Sequence, residues 1–199
     1  MAATMTARVT GLAALLLAFC APAQETAPDA LVKSLVSEVI EVIGQNKDAR
    51  ALVELAEKKV TVHFDFKRMT QLAVGRSWAQ ASPTQQDALE RAFRTLLVRT
   101  YAAALAQTSG KTRVDVKSPN LSPGDTDALV RTVVNEPGRK PFMIDYRMSK
   151  GSGWKVYDVV VENLSLVTNY RSSFQSEISR SGIDGLIKVI ETKNQKQEG

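Results

Sequence analysis

The chain has 199 residues, with 26 lysines and arginines against 21 acidic residues, one histidine and one cysteine, for a formal net charge of +5. One histidine and one cysteine exclude a histidine- or cysteine-built metal centre and any intramolecular disulfide. The basic excess is mild and scattered among acids, which excludes a nucleic-acid-binding reading on charge.

Residues 1–23 read as a secretory signal peptide. Arg8 supplies the basic n-region, Leu12 to Phe19 the apolar h-region, and Ala21-Pro22-Ala23 an A-x-A cleavage signal. The apolar run is too short for a spanning helix. A lipoprotein signal acylated at Cys20 competes with this reading, but bulky Phe19 stands where such sites need a small residue. Cleavage after about Ala23 removes the only cysteine, and residues 24–199 are expected to form one domain, monomeric, with a tail over 193–199 that frays.

Pro28 to Ile43 predicts a helix with a wide apolar face: Leu31, Leu35, Val39 and Val42 in one row, Val32, Val36, Ile40 and Ile43 in the next. Asp48 is placed to cap a second helix. Val60 to Phe66 fits either a short strand or the end of that helix followed by a turn capped by Asp65. The helical pattern that resumes through Met69, Leu72 and Ala73 and stops at Gly75 favours the turn. Ser82-Pro83-Thr84-Gln85 is a capping-box start for a long helix to about Gln107.

Beyond Gly110 the period changes to two. Lys111 to Ser118, Asp127 to Asn135, Pro141 to Ser149 and Trp154 to Val161 alternate, and short polar links join them. They predict a four-stranded antiparallel meander with one buried face. Glu162-Asn163 is a two-residue break into a helix carrying Leu166, Tyr170, Phe174 and Ile178. Gly182 ends that helix, and a last one carries Leu186, Ile187 and Ile190. The class is α+β, with N- and C-terminal helices packed on the sheet.

Catalytic chemistry is hard to build from these residues. His63 has no nucleophile elbow to serve, and no acidic cluster has metal-ligand spacing. Gly151-Ser152-Gly153 links two strands and lacks the helix N-terminus that a phosphate loop needs. Asp158 interrupts an apolar run. It fits a general base in a cone-shaped α+β pocket, or a structural carboxylate on the polar side of the sheet or paired with Arg147 or Arg171. The wide apolar faces either fill one another or enclose a cavity, and apolarity alone does not separate the two. A periplasmic chaperone or adaptor is the other class that fits.

Six motifs carry a resemblance that runs in order along the chain. They are Asp65-Phe66, Gly75-Arg76-Ser77-Trp78, FRTLLVRTY from Phe93 to Tyr101, Asp145-Tyr146-Arg147, Gly153 to Asp158 (GWKVYD), and Ser165-Leu166-Val167 followed by Asn169-Tyr170-Arg171 and Phe174. Together they resemble the MlaC family, the toluene-tolerance group of periplasmic phospholipid-binding proteins. Asn163 departs from the glycine common at that break, although asparagine also tolerates left-handed backbone. The resemblance implies no enzyme activity and no cofactor. It implies a soluble shuttle whose cargo is phospholipid, moved between the two membranes to maintain outer-membrane lipid asymmetry. The implied partners are an outer-membrane lipoprotein complex and an inner-membrane ABC transporter complex with a lipid-binding ring. Face assignment and the resemblance together propose a cavity wall of Leu72, Trp78, Phe93, Leu97, Tyr101, Val130, Phe142, Ile144, Tyr146, Val161, Leu166, Tyr170 and Phe174.

Overall fold

A computed structural model describes residues 26–45 and 48–197. The signal peptide and its cleavage point lie outside the described residues. Helix α1 (Pro28–Gln45) opens with a proline and Asp29 in its first turn, where a missing N–H and a negative charge both suit the helix start. Helix α2 (Ala49–Leu55) is capped by Asp48, whose Oδ1 accepts from the Arg50 amide at 2.9 Å. The chain then widens into a π-turn over Ala56–Val60 and tightens into a 3₁₀ turn over Thr61–His63.

The ambiguous stretch before Phe66 resolves as a turn. Phe64 forms a single parallel bridge to Val156, and the Asp65 amide donates to the Val156 carbonyl at 2.8 Å. Asp65 also caps α3 (Phe66–Val74) through the Arg68 amide at 2.9 Å. Gly75 ends α3 at φ 63°, where a Cβ would stand 3.2 Å from the Arg171 guanidinium. Helix α4 (Pro83–Ala106) starts with both halves of the expected capping box: the Gln85 amide donates to Ser82 Oγ and the Ser82 amide to Gln85 Oε1.

Strands β1 (Arg113–Lys117), β2 (Asp127–Asn135), β3 (Phe142–Lys150) and β4 (Trp154–Val161) form the expected antiparallel meander. The sheet has five strands, not four. Glu162 and Asn163 both adopt positive φ, 47° and 66°, as a two-residue hairpin turn of the primed type requires. The chain therefore reverses, and β5 (Leu164–Ser165) pairs back on β4 through Val161↔Leu164 and Val160↔Ser165. Ser165 then caps α5 (Leu166–Lys196), its Oγ accepting from the Thr168 amide at 3.0 Å. The two terminal helices are one element broken at Gly182, at φ 72° and ψ −175°. Helix α5 continues to Lys196. Buried Asn194 anchors it: its Nδ2 donates to the Ala92 carbonyl at 2.9 Å, and its main-chain carbonyl accepts from Arg99 Nη1 at 2.7 Å.

Packing divides into three apolar regions. The largest joins α3, α4 and α5 around Met69, Leu89, Phe93, Leu96 and Leu186. A second joins α1 to the sheet through Val32, Val130, Met148 and Val156. The third closes α1, α2 and α4 with Ile43, Leu52 and Ala102.

Candidate functional site

The three packed regions meet around one apolar cavity of about 330 Å³, partly open to solvent. That size is within the range of small-ligand clefts. Helix α1 supplies Val32, Val36, Val39 and Ile40, so the double row read from sequence faces a void as well as a neighbour. Leu52 and Leu55 of α2, Val60 of the π-turn and Phe64 continue the wall. Leu97, Val98, Tyr101 and Leu105 of α4 stand across from the sheet, which contributes Val114, Val134, Phe142, Ile144, Tyr146 and Val159.

The sheet wall depends on an irregularity in β4. Val156 pairs with Met148, whereas Asp158 pairs with Arg147 and Val159 with Tyr146, so the register slips and Tyr157 has no opposite residue. This is a β-bulge, two residues against one. Strict alternation from Val156 would put Asp158 and Val160 on the cavity face. The bulge puts Val159 and Val161 there instead, and both line the cavity. Asp158 is turned to the Arg147 side. Its Oδ2 lies 3.3 Å from the Arg147 Nη1, and its Oδ1 accepts from the Val167 amide at 3.3 Å in the first turn of α5. Of the partners weighed from sequence, Arg147 is the one it takes. The displaced Tyr157 ring lies under the Arg68 guanidinium, 3.7 Å from ring centre to Cζ.

Seven of the thirteen residues proposed from sequence line the cavity: Leu97, Tyr101, Phe142, Ile144, Tyr146, Val161 and Leu166. Trp78, Phe93 and Phe174 are buried in the α3–α4–α5 core, with Tyr170 packed against them. Phe93 meets Tyr170 and Phe174 edge-on at 5.1 and 5.2 Å. Val130 is buried beneath α1 in the second region, and Leu72 is 39 % exposed, away from the wall. Sequence reading left out the whole α1–α2 side, although its wide apolar face was the available signal. His63 stands in the 3₁₀ turn and takes no part in the wall. No group of three or more histidine, cysteine or acidic residues suited to a metal ion occurs among the described residues.

A sequence model of the MlaC protein family matches residues 33–192. The chain belongs to the MlaC family. A relative from Haemophilus influenzae, named an intermembrane phospholipid transport system binding protein, is 24 % identical over 176 residues, covering 84 % of this chain and 82 % of its own. A solved structure of a phospholipid-binding protein from Ralstonia solanacearum, in complex with a phospholipid, superimposes with a TM-score of 0.79 at 36 % identity. That match covers 87 % of this chain and all of the other.

The MlaC-family cavity of this chain carries few polar groups, and its phenols are held neutral. Burial pushes the Tyr101 and Tyr146 hydroxyls up to about 12, with the neighbouring Tyr170 adding to the effect on Tyr101. Burial raises Tyr170 as well, against a hydrogen bond with Thr100. Thr61 satisfies its own hydroxyl on the Glu57 carbonyl at 3.2 Å. A wall of this kind offers dispersion and desolvation to hydrocarbon and no charge to a reacting atom.

Proposed function

We propose that this MlaC-family protein binds a phospholipid with its acyl chains in the cavity and carries it as a soluble shuttle between membranes. The single observation that carries the reading is an apolar cavity whose walls come from α1, α2, α4 and the sheet together. Each methylene moved from water into such a wall contributes about 0.8 kcal/mol, so chain burial supplies affinity without headgroup contacts. The relatives' phospholipid binding supports the same cargo.

The periplasm is the compartment that suits an intermembrane carrier, reached through the N-terminal signal. No helix of the described residues is long and apolar enough to cross a membrane. The partners that fit are an outer-membrane lipoprotein complex as one docking site and an inner-membrane ABC transporter complex with a lipid-binding ring as the other. An acyl-transfer or hydrolytic role is disfavoured because the wall holds no acid–base pair, with Asp158 engaged by Arg147 and Val167.

Organic extraction of the natively purified protein, followed by mass spectrometry, tests the reading. The expected result is phospholipid at about one molecule per chain. Ile144→Glu, which places a charge on the wall, is expected to lower that occupancy several-fold while thermal melting still shows a cooperative transition. A wild-type protein that arrives lipid-free and takes none from vesicles overturns the proposal.

A further inference from the structure

The cavity wall carries a buried hydroxyl with nothing to bond. Thr112 lines the cavity and is 6 % exposed, and its Oγ1 has no hydrogen-bond partner among the described residues. It stands just before β1. Alternation from Val114, another wall residue, puts its side chain on the inner face of the sheet. The turn that carries it is tied down. The Thr112 amide donates to the Ser109 carbonyl at 2.9 Å, and the Ser109 amide to Glu136 Oε1 at 3.1 Å. Gly110 packs so closely on the end of α1 that a Cβ there would stand 2.8 Å from the Gly44 Cα. The hydroxyl is therefore held at a fixed place on the wall.

The other buried threonines are satisfied. Thr61 donates to the Glu57 carbonyl at 3.2 Å, Thr70 to the Phe66 carbonyl at 2.7 Å, and Thr132, on the inner face of β2, to the Ile144 carbonyl at 2.7 Å. A buried hydroxyl left without a partner is destabilising, and valine has nearly the same shape without that penalty. A threonine in this position is explained if a ligand brings the acceptor. Hydrocarbon has none. Position narrows the choice further. Leu105, at 37 % the most exposed residue of the wall, and Thr108 precede Thr112 at the end of α4 and in the turn after it. This stretch of wall is the one nearest solvent, so it meets the glycerol end of a lipid and not the chain tips. The acceptors that join glycerol to the chains of a phospholipid are the two acyl ester carbonyls.

We propose that Thr112 Oγ1 donates a hydrogen bond to an acyl ester carbonyl of the bound lipid, and so sets the depth at which the glycerol backbone stops. This rests on the phospholipid reading above. In it the chains run inward past Thr112 and the headgroup stays on the side of Leu105. An ether oxygen is a weaker acceptor and lacks the projecting carbonyl, so an ether-linked lipid leaves the hydroxyl unpaired and is bound less well.

Competition from vesicles tests this, using diester and diether phosphatidylglycerols of the same chain length. The wild-type protein is expected to take the diester about fivefold more strongly, as one neutral hydrogen bond allows. Thr112→Val is expected to bind the diether lipid as the wild type does and to lose the preference, whereas Thr112→Ser, which keeps the hydroxyl, retains it. The lipid-free valine variant is expected to melt at or above the wild-type temperature. Equal uptake of the two lipids by the wild type overturns the inference. So does a preference that survives in Thr112→Val, or one that Thr112→Ser loses too, which would assign it to the methyl group. A lipid-free Thr112→Val that melts several degrees lower also overturns it, because the hydroxyl would then serve the protein itself through a trapped water. If the wild type takes neither lipid, the phospholipid reading is what fails.

Discussion

Asp158 is 2 % exposed, and its two oxygens are divided between a cation and a helix start. A buried carboxylate is tolerated only with such partners. Removing it leaves the Val167 amide and one side of Arg147 without an acceptor. Arg147 is half exposed and regains water, so Asp158→Ala is expected to cost about 2 kcal/mol in urea unfolding, with Asp158→Asn costing less because it keeps an acceptor. The tyrosines make a second prediction at this scale. Tyr101 and Tyr146 titrate near 12 when folded and near 10 when unfolded. Between those values the unfolded chain gives up protons that the native one retains. The contribution is therefore intact below about pH 10 and is lost as pH rises through about 12. Melting temperature is expected to fall across that interval, less so in Tyr146→Phe. Asp158 also marks the limit of reading single residues. Its interruption of an apolar run was plain in the sequence, but the side it faces depends on a bulge that no local pattern announces.

Helix starts were the most legible elements, because a cap is a local matter. Asp48, Asp65 and the Ser82–Gln85 box each act within three residues of their own position. β5 was not legible. Two residues are too few for a period, and its turn, Glu162-Asn163, lacks the glycine that usually signals a primed hairpin. The break in α5 was legible from Gly182, which occupies a backbone region nearly reserved for glycine. Nothing lies within 4 Å of the position a Cβ would take there, so the effect of Gly182→Ala is purely conformational. It is expected to lower stability by about 1–3 kcal/mol in thermal unfolding and to leave lipid occupancy unchanged, since no cavity residue lies beyond Leu166.

At the level of the whole molecule, the architecture followed from periods of 3.6 and 2, while the division of apolar residues between core and cavity did not. Phe93 and Leu97 stand one turn apart on the same stripe of α4. Phe93, wholly buried, is locked between Tyr170 and Phe174, whereas Leu97, at 5 % exposure, borders the cavity. The two are equally apolar, so what separates them is distance to the opposite wall, a property of the assembled fold. The α1 side was missed for the same reason.

The bulge at Tyr157 gives the cavity a dependence on parity. A strand has only two faces, so for the segment from Asp158 to Val161, beyond the bulge, the sole question about a change in length is whether it is odd or even. One residue inserted after Tyr157 would exchange Val159 and Val161 for Asp158 and Val160 on the inner side, and a second would restore them, whereas loss of Tyr157 itself would leave the pairing of Asp158 with Arg147 and Val159 with Tyr146 as it is. Composition would be almost untouched in either case. The cavity keeps its oily character through the count of four residues from Asp158 to Val161, which has to stay even.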